Sequence, residues 1–125
     1  MAIAEWGVVA LDCPDPRALA EFYAGVLGWT VDEEETDEDW AELAGPSGQR
    51  LAFQLAPQYT PPSWPNAENG QQIHLDFIVP RERQEEAERQ VLALGAKLLE
   101  GDHGGKRNWR VYADPVGHPF CLCVH

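Results

Sequence analysis

Asp39-Trp40-Ala41-Glu42-Leu43-Ala44-Gly45-Pro46-Ser47-Gly48-Gln49 and Asn108-Trp109-Arg110-Val111-Tyr112-Ala113-Asp114-Pro115-Val116-Gly117-His118 read as one stretch written twice. Trp, Ala, Pro and Gly coincide at a single offset, 109 minus 40, which is 69. Each stretch predicts a strand, a tight Pro-x-Gly turn and a second strand, Leu51 to Ala56 in the first copy and Phe120 to Val124 in the second. Element order alone is weak evidence of a repeat. Alignment residue by residue through a hairpin points to internal duplication.

The same signals precede each hairpin. From Trp6 to Cys13 an apolar run predicts a strand, after which Asp15 can cap a helix whose first turn begins at Pro16. Leu19, Phe22, Tyr23 and Val26 recur at three- and four-residue spacing, and Leu27-Gly28 ends the helix. In the second copy Gln72 to Val79 is strand-like and Pro80 opens a helix with Ala87, Val91, Leu92 and Leu94 on one face before Gly95. Pro61, Pro62, Pro65, Asn66, Asn69 and Gly70 mark residues 57–70 as a connector. The reading is one α+β domain over residues 1–125, with module one at about 1–56 and module two at about 71–125.

The 125 residues amount to about one domain, and with 44% hydrophobic residues and five Trp the chain can bury a core. Met-Ala-Ile-Ala-Glu-Trp at the start has no basic stretch leading into an apolar run. No window approaches the roughly 18 apolar residues of a membrane span. Cys13, Cys121 and Cys123 lack zinc-finger spacing and suit reduced thiols, so the expected location is the cytoplasm. A net charge of -12 opposes both nucleic acid and anionic membranes as partners. Glu33 to Glu35 and Asp37 to Asp39 suit a solvated turn between strands. A glycine-rich phosphate loop, a GxSxG elbow and an HExxH pair are all missing from the sequence.

Two motifs carry a resemblance. Asp15-Pro16, Phe22-Tyr23 and Leu27-Gly28-Trp29 at their spacing, with Asp114-Pro115-x-Gly117-His118-Pro119-Phe120 later, resemble the glyoxalase/bleomycin-resistance/dioxygenase superfamily, also called vicinal oxygen chelate. The likeness is greatest to its compact glyoxalase-like domains and runs from about Trp6 to His125. It implies two tandem βαβββ modules whose eight strands form a half-open barrel-like sheet with helices outside. It also implies a metal or small-molecule ligand inside, often with a homodimer. In the metal-dependent members four strand residues hold one divalent ion, and those positions fall here on Val8, Gln54, His74 and Cys121. Valine cannot coordinate, and a Gln amide is a weak donor for a transition metal, so the set is degenerate. A divalent metal (Zn, Fe, Mn, Ni or Co) at His74 and Gln54 remains open, as does the absence of any cofactor.

Strand alternation places Val8, Ala10 and Asp12 on one face and His74, Asp76 and Ile78 on one face, opposite the more apolar positions that should pack on helices. Asp12 and Asp76 would then lean toward the concave side, where they could orient His74, pair with Arg110 or bind a cationic group. Each has a structural alternative: the aspartates can hold strand ends, His74 can be a satisfied core histidine, and Cys121 can pack as a small hydrophobe. His118 suits a turn-stabilising role. Trp64, in a stiff Pro-rich segment, could cover the mouth of the cleft or meet a dimer partner. The expected function is binding of an aromatic or cationic organic ligand. The alternative is a metal-dependent lyase, isomerase or dioxygenase with a non-standard site around His74.

Overall fold

The computed structural model describes residues 2–3, 5–62 and 73–124. The chain divides into two compact units, the first ending at Tyr59 and the second starting at Thr60, inside the expected connector.

In the first unit β1 (Val9–Cys13) leads into α1 (Pro16–Leu27), followed by β2 (Thr30–Val31), β3 (Trp40–Ala44) and β4 (Arg50–Leu55). The sheet order is β1-β4-β3-β2, with β1 parallel to β4 and the other pairs antiparallel. The helix begins and ends as its sequence dictates. Asp15 is extended and its Oδ1 accepts the Ala18 N–H at 3.2 Å, and Gly28 at φ 71° closes the last turn through its N–H to the Ala24 carbonyl. Leu19, Ala20, Phe22 and Tyr23 form the buried stripe. Tyr23 stacks on Phe53 of β4 with centroids 5.6 Å apart, which fixes the helix-facing side of this sheet. Each such ring or leucine contributes about 2–3 kcal/mol of apolar burial. The acidic run forms an exposed 3-10 turn, Glu33–Glu35, with Asp32 as its cap.

The second unit repeats the plan with β5 (Leu75–Val79), α2 (Gln84–Ala93), β6 (Lys97–Glu100), β7 (Trp109–Ala113) and β8 (Pro119–Val124). Its order is β5-β8-β7-β6, the same strand positions in the same sense. The α+β class and the tandem βαβββ modules are therefore as expected. Phe120 of the central strand β8 lies between Tyr112, stacked at 5.5 Å, and Phe77, tilted at 5.7 Å.

Several details differ from the sequence reading. Pro80 caps a 3-10 turn, Arg81–Arg83, and α2 starts only at Gln84. Val91 is the buried residue of α2, while Leu92 and Leu94 stay exposed. At about 100° per residue Leu92 is rotated off the Val91 stripe, and Leu94 is already the C-cap. Trp6 precedes β1 and is exposed.

The two hairpin turns use the same glycine but different side chains. Gly48 (φ 84°) and Gly117 (φ 99°) both take the left-handed conformation that a Cβ disfavours. In the first turn Gln49 Oε1 accepts the Ser47 N–H at 2.9 Å. In the second the buried Asp114 accepts the N–H groups of Val116 and His118 at 2.9 and 3.0 Å. Among the described residues no helix is long and apolar enough to cross a membrane.

Candidate functional site

The two faces of the second sheet are told apart by α2. Arg110 and Tyr112 reach that helix: the Arg110 guanidinium meets Glu85 at 2.6 Å and Glu88 at 3.2 Å, and the Tyr112 hydroxyl donates to Glu88 at 2.7 Å. Alternation then turns Trp109 and Val111 to the face away from α2. Register carries the assignment across the sheet in two rows. Asp76, Cys121 and Val111 are successive partners, and beside them Ile78, Cys123 and Trp109 are successive partners.

His74 stands just before β5, and its Nε2 lies 3.1 Å from Asp76 Oδ1. Cys121 is 3% exposed, and one donor atom from each of His74, Asp76 and Cys121 lies within 4.8 Å of the others. Burial, and then the Asp76 carboxylate, push the Cys121 thiol up to about 12. The Cys123 thiol is raised by the same two causes in the same order. Both are thiols at neutral pH, so Cys-His nucleophilic chemistry has no thiolate to work with. The second row is apolar and open, with Ile78 69% and Trp109 41% exposed. The Arg107 guanidinium covers the Trp109 ring at 4.8 Å from its centroid and pairs with Glu100 at 3.0 Å.

The duplication gives an internal control. Trp40 pairs with Gln54 as Trp109 pairs with Cys123, so Gln54 matches Cys123, and Ala52, two residues earlier, matches Cys121. Ala10 pairs with Ala52 as Asp76 pairs with Cys121, which makes Ala10 the counterpart of Asp76 and Val8 that of His74. The first unit thus has Val8, Ala10 and Ala52 where the second has His74, Asp76 and Cys121. Asp12 and Gln54 are register partners in the first unit, in the row that ends at Trp40.

Arg110 requires a correction. The pairing with Asp76 that alternation left possible is not formed among the described residues, because alternation on β7 puts Arg110 on the helix side, where Glu85, Glu88 and Asp102 hold it. These carboxylates raise its pKa further, Glu85 first. Trp64 lies outside the described residues. His118 serves the turn through its backbone, donating to Asp114 Oδ1 and accepting the Asp114 N–H at 2.8 Å. Sequence reasoning missed the pairing of Arg50 with Asp32 at 2.7 Å and Glu42 at 2.5 Å, which ties β4 to β3 and to the turn after β2. Two carboxylates flanking a strand arginine at eight and eighteen residues' distance leave no local signature.

The sequence model of the glyoxalase-like domain matches residues 8–123. This chain belongs to the glyoxalase-like domain family. Solved structures agree at the level of fold. A glyoxalase/bleomycin resistance protein/dioxygenase family enzyme from Burkholderia phytofirmans PsJN superposes with a TM-score of 0.73 at 18% identity, over 94% of this chain and 95% of that one. Fosfomycin resistance protein FosX from Listeria monocytogenes gives 0.71 at 13% identity, over 99% and 95%. A glyoxalase/dioxygenase from Nostoc punctiforme gives 0.68 at 22% identity, over 94% and 88%. No curated protein matches the chain. Within this family fold the His74, Asp76 and Cys121 cluster lies in the second module.

Proposed function

We propose that this glyoxalase-like chain binds a small organic molecule bearing an aromatic or cationic group, at the face of the second sheet turned away from α2. The observation that carries the reading is the pair of adjacent rows: the His74–Asp76 pair and Cys121 beside the open apolar positions Ile78 and Trp109. An exposed carboxylate on β5 and, two strands away on β7, an indole 41% exposed beside Arg107 suit a ligand with a positive end and a flat body. The first-module counterparts are Val8, Ala10 and Ala52, so the family's metal quartet is read as degenerate. The free cysteines, two of them buried, support a reducing compartment, and exposed Leu98 on the edge strand β6 suits a homodimer contact.

Isothermal titration of the full chain with benzyltrimethylammonium, an aromatic cation, tests this. Saturable binding that weakens about tenfold in Asp76→Asn is the expected result. Absence of binding, or binding indifferent to both Asp76→Asn and Trp109→Ala, would reject it.

A second reading rests on the donor set itself. Imidazole, carboxylate and thiol together suit a zinc-type ion better than magnesium or calcium, which prefer oxygen donors. His74, Asp76 and Cys121 would hold that ion, and it would supply Lewis-acid polarisation of a bound oxygen. Zinc retained at one per chain after dialysis, and lost in His74→Ala, would favour this reading over the first.

A further inference from the structure

The second unit contains a cavity of about 400 Å³ that the reading above does not use. Its walls are largely apolar: Pro61 and Pro62 on one side, Leu99 of β6 on another, and the Pro115-Val116-Gly117 turn at the end of the β7–β8 hairpin. The size falls within the range of about 300–1,000 Å³ in which small-molecule sites lie. Pro61 is seated against Gly117 so closely that a Cβ there would come within 2.5 Å of the proline's Cβ.

Two charged residues line the cavity, and they differ in what is left for a ligand. The Asp114 carboxylate is buried and spent on its own turn, accepting the Val116 and His118 N–H groups. Lys97, the first residue of β6 and register partner of Ala113, is exposed and takes part in no ion pair among the described residues. Arg17, Arg50, Arg83, Arg107 and Arg110 have carboxylate partners, whereas Lys97, like Arg81, Arg89 and Lys106, has none among the described residues, and of these four Lys97 is the one that lines the cavity. One free cation at an otherwise apolar wall selects the charge of its ligand. A carboxylate can take a charge-assisted hydrogen bond from the ammonium while its hydrocarbon body fills the proline-lined space.

We infer that this cavity is a second binding site, for a small organic carboxylate of one- or two-ring size. Lys97 receives the acid group, and Pro61, Leu99 and Val116 cover the body. The site is chemically opposite to the Asp76 face, since it favours an anion where that face favours a cation.

The test is an NMR titration of the ¹⁵N-labelled full chain with sodium benzoate, with benzyl alcohol and benzylamine as neutral and cationic controls of the same shape. Benzoate should shift the Leu99, Val116 and Gly117 amides saturably, and benzyl alcohol should bind about tenfold more weakly. Lys97→Met, which keeps the stem and removes the charge, should weaken benzoate by about the same factor, and Lys97→Arg should restore it. Asp76→Asn should leave benzoate binding unchanged, so failure here is separable from failure of the Asp76 site. No saturable shift, equal affinity for benzyl alcohol, indifference to Lys97→Met, or shifts centred on Asp76 and Trp109 would each overturn the inference.

Discussion

Asp76 and Cys121 are partners across the parallel β5–β8 pair, and their counterparts Ala10 and Ala52 are partners across β1–β4 with only methyl groups between them. A carboxylate beside two thiols opposes their ionisation, so replacing it should make the thiols more acidic. Cys121 is buried, whereas Cys123 is half-buried, so the effect is best read at Cys123. At pH 8, Asp76→Asn should raise the rate of iodoacetamide labelling at Cys123 by about threefold, scored by peptide mass spectrometry. An unchanged rate would mean that burial alone, the first cause of the raised value, governs that thiol.

Arg110 joins β7 to α2 and to the loop before β7 through Glu85, Glu88 and Asp102. Its side chain is 12% exposed, so truncation strands the shielded carboxylates of Glu88 and Asp102 around a partly desolvated gap, while Glu85 is open to solvent. Arg110→Ala should cost about 1–2 kcal/mol of unfolding free energy in urea titrations. Arg110→Lys should recover only part of this, because a single ammonium cannot reproduce the forked contacts.

The contrast between the hairpins and Arg110 shows which parts of the fold could be read from the chain. A Pro-x-Gly turn, a left-handed glycine and an Asp-Pro helix start are local, so Gly48, Gly117, Asp15 and Gly28 declare their roles within a few residues. The side of the sheet on which Arg110 falls was open to the same alternation argument. It was obscured because the helix-facing position of β7 is charged and α2 meets it with Glu85 and Glu88 in place of leucines. The rows of the candidate site depend on parallel register between β5 and β8, more than forty residues apart, and no local pattern sets that. His74 and Cys121 were suggested by family likeness, while Asp76 was suggested by alternation, and their proximity is a property of the fold.

Acid should unfold the protein partly through its arginine-bound carboxylates. Arg50 lowers the pKa of Asp32, and Arg110 lowers that of Glu85. For Asp102 the Gly105 N–H is the larger cause and Arg110 a further one. A depressed folded-state value means that the unfolded chain binds protons first as pH falls. Stability from these groups is therefore complete above the ordinary carboxylate range, about pH 4, and lost below it. Thermal melts should show a declining midpoint below about pH 4, shallower in Arg50→Gln and Arg110→Gln. Equal slopes in wild type and both variants would remove these pairs from the acid limb.

Gly48 and Gly117 occupy equivalent turns with similar positive φ, yet their surroundings differ, which isolates the cost of contact from the cost of conformation. A Cβ on Gly48 would meet nothing within 4 Å, so Gly48→Ala should cost about 1 kcal/mol of backbone strain alone. On Gly117 the same methyl would meet Pro61 Cβ at 2.5 Å, with the proline's Cα backbone atom at 3.8 Å behind it. A proline ring has no rotamer by which to withdraw, so Gly117→Ala should cost about 1–2 kcal/mol more than Gly48→Ala, measured by urea denaturation. Adding Pro61→Gly removes the opposing Cβ and should return Gly117→Ala toward the Gly48→Ala cost, a coupling that a double-mutant cycle measures directly. Additive penalties would show that Pro61 moves aside freely and that the cavity wall it forms is not held by the turn.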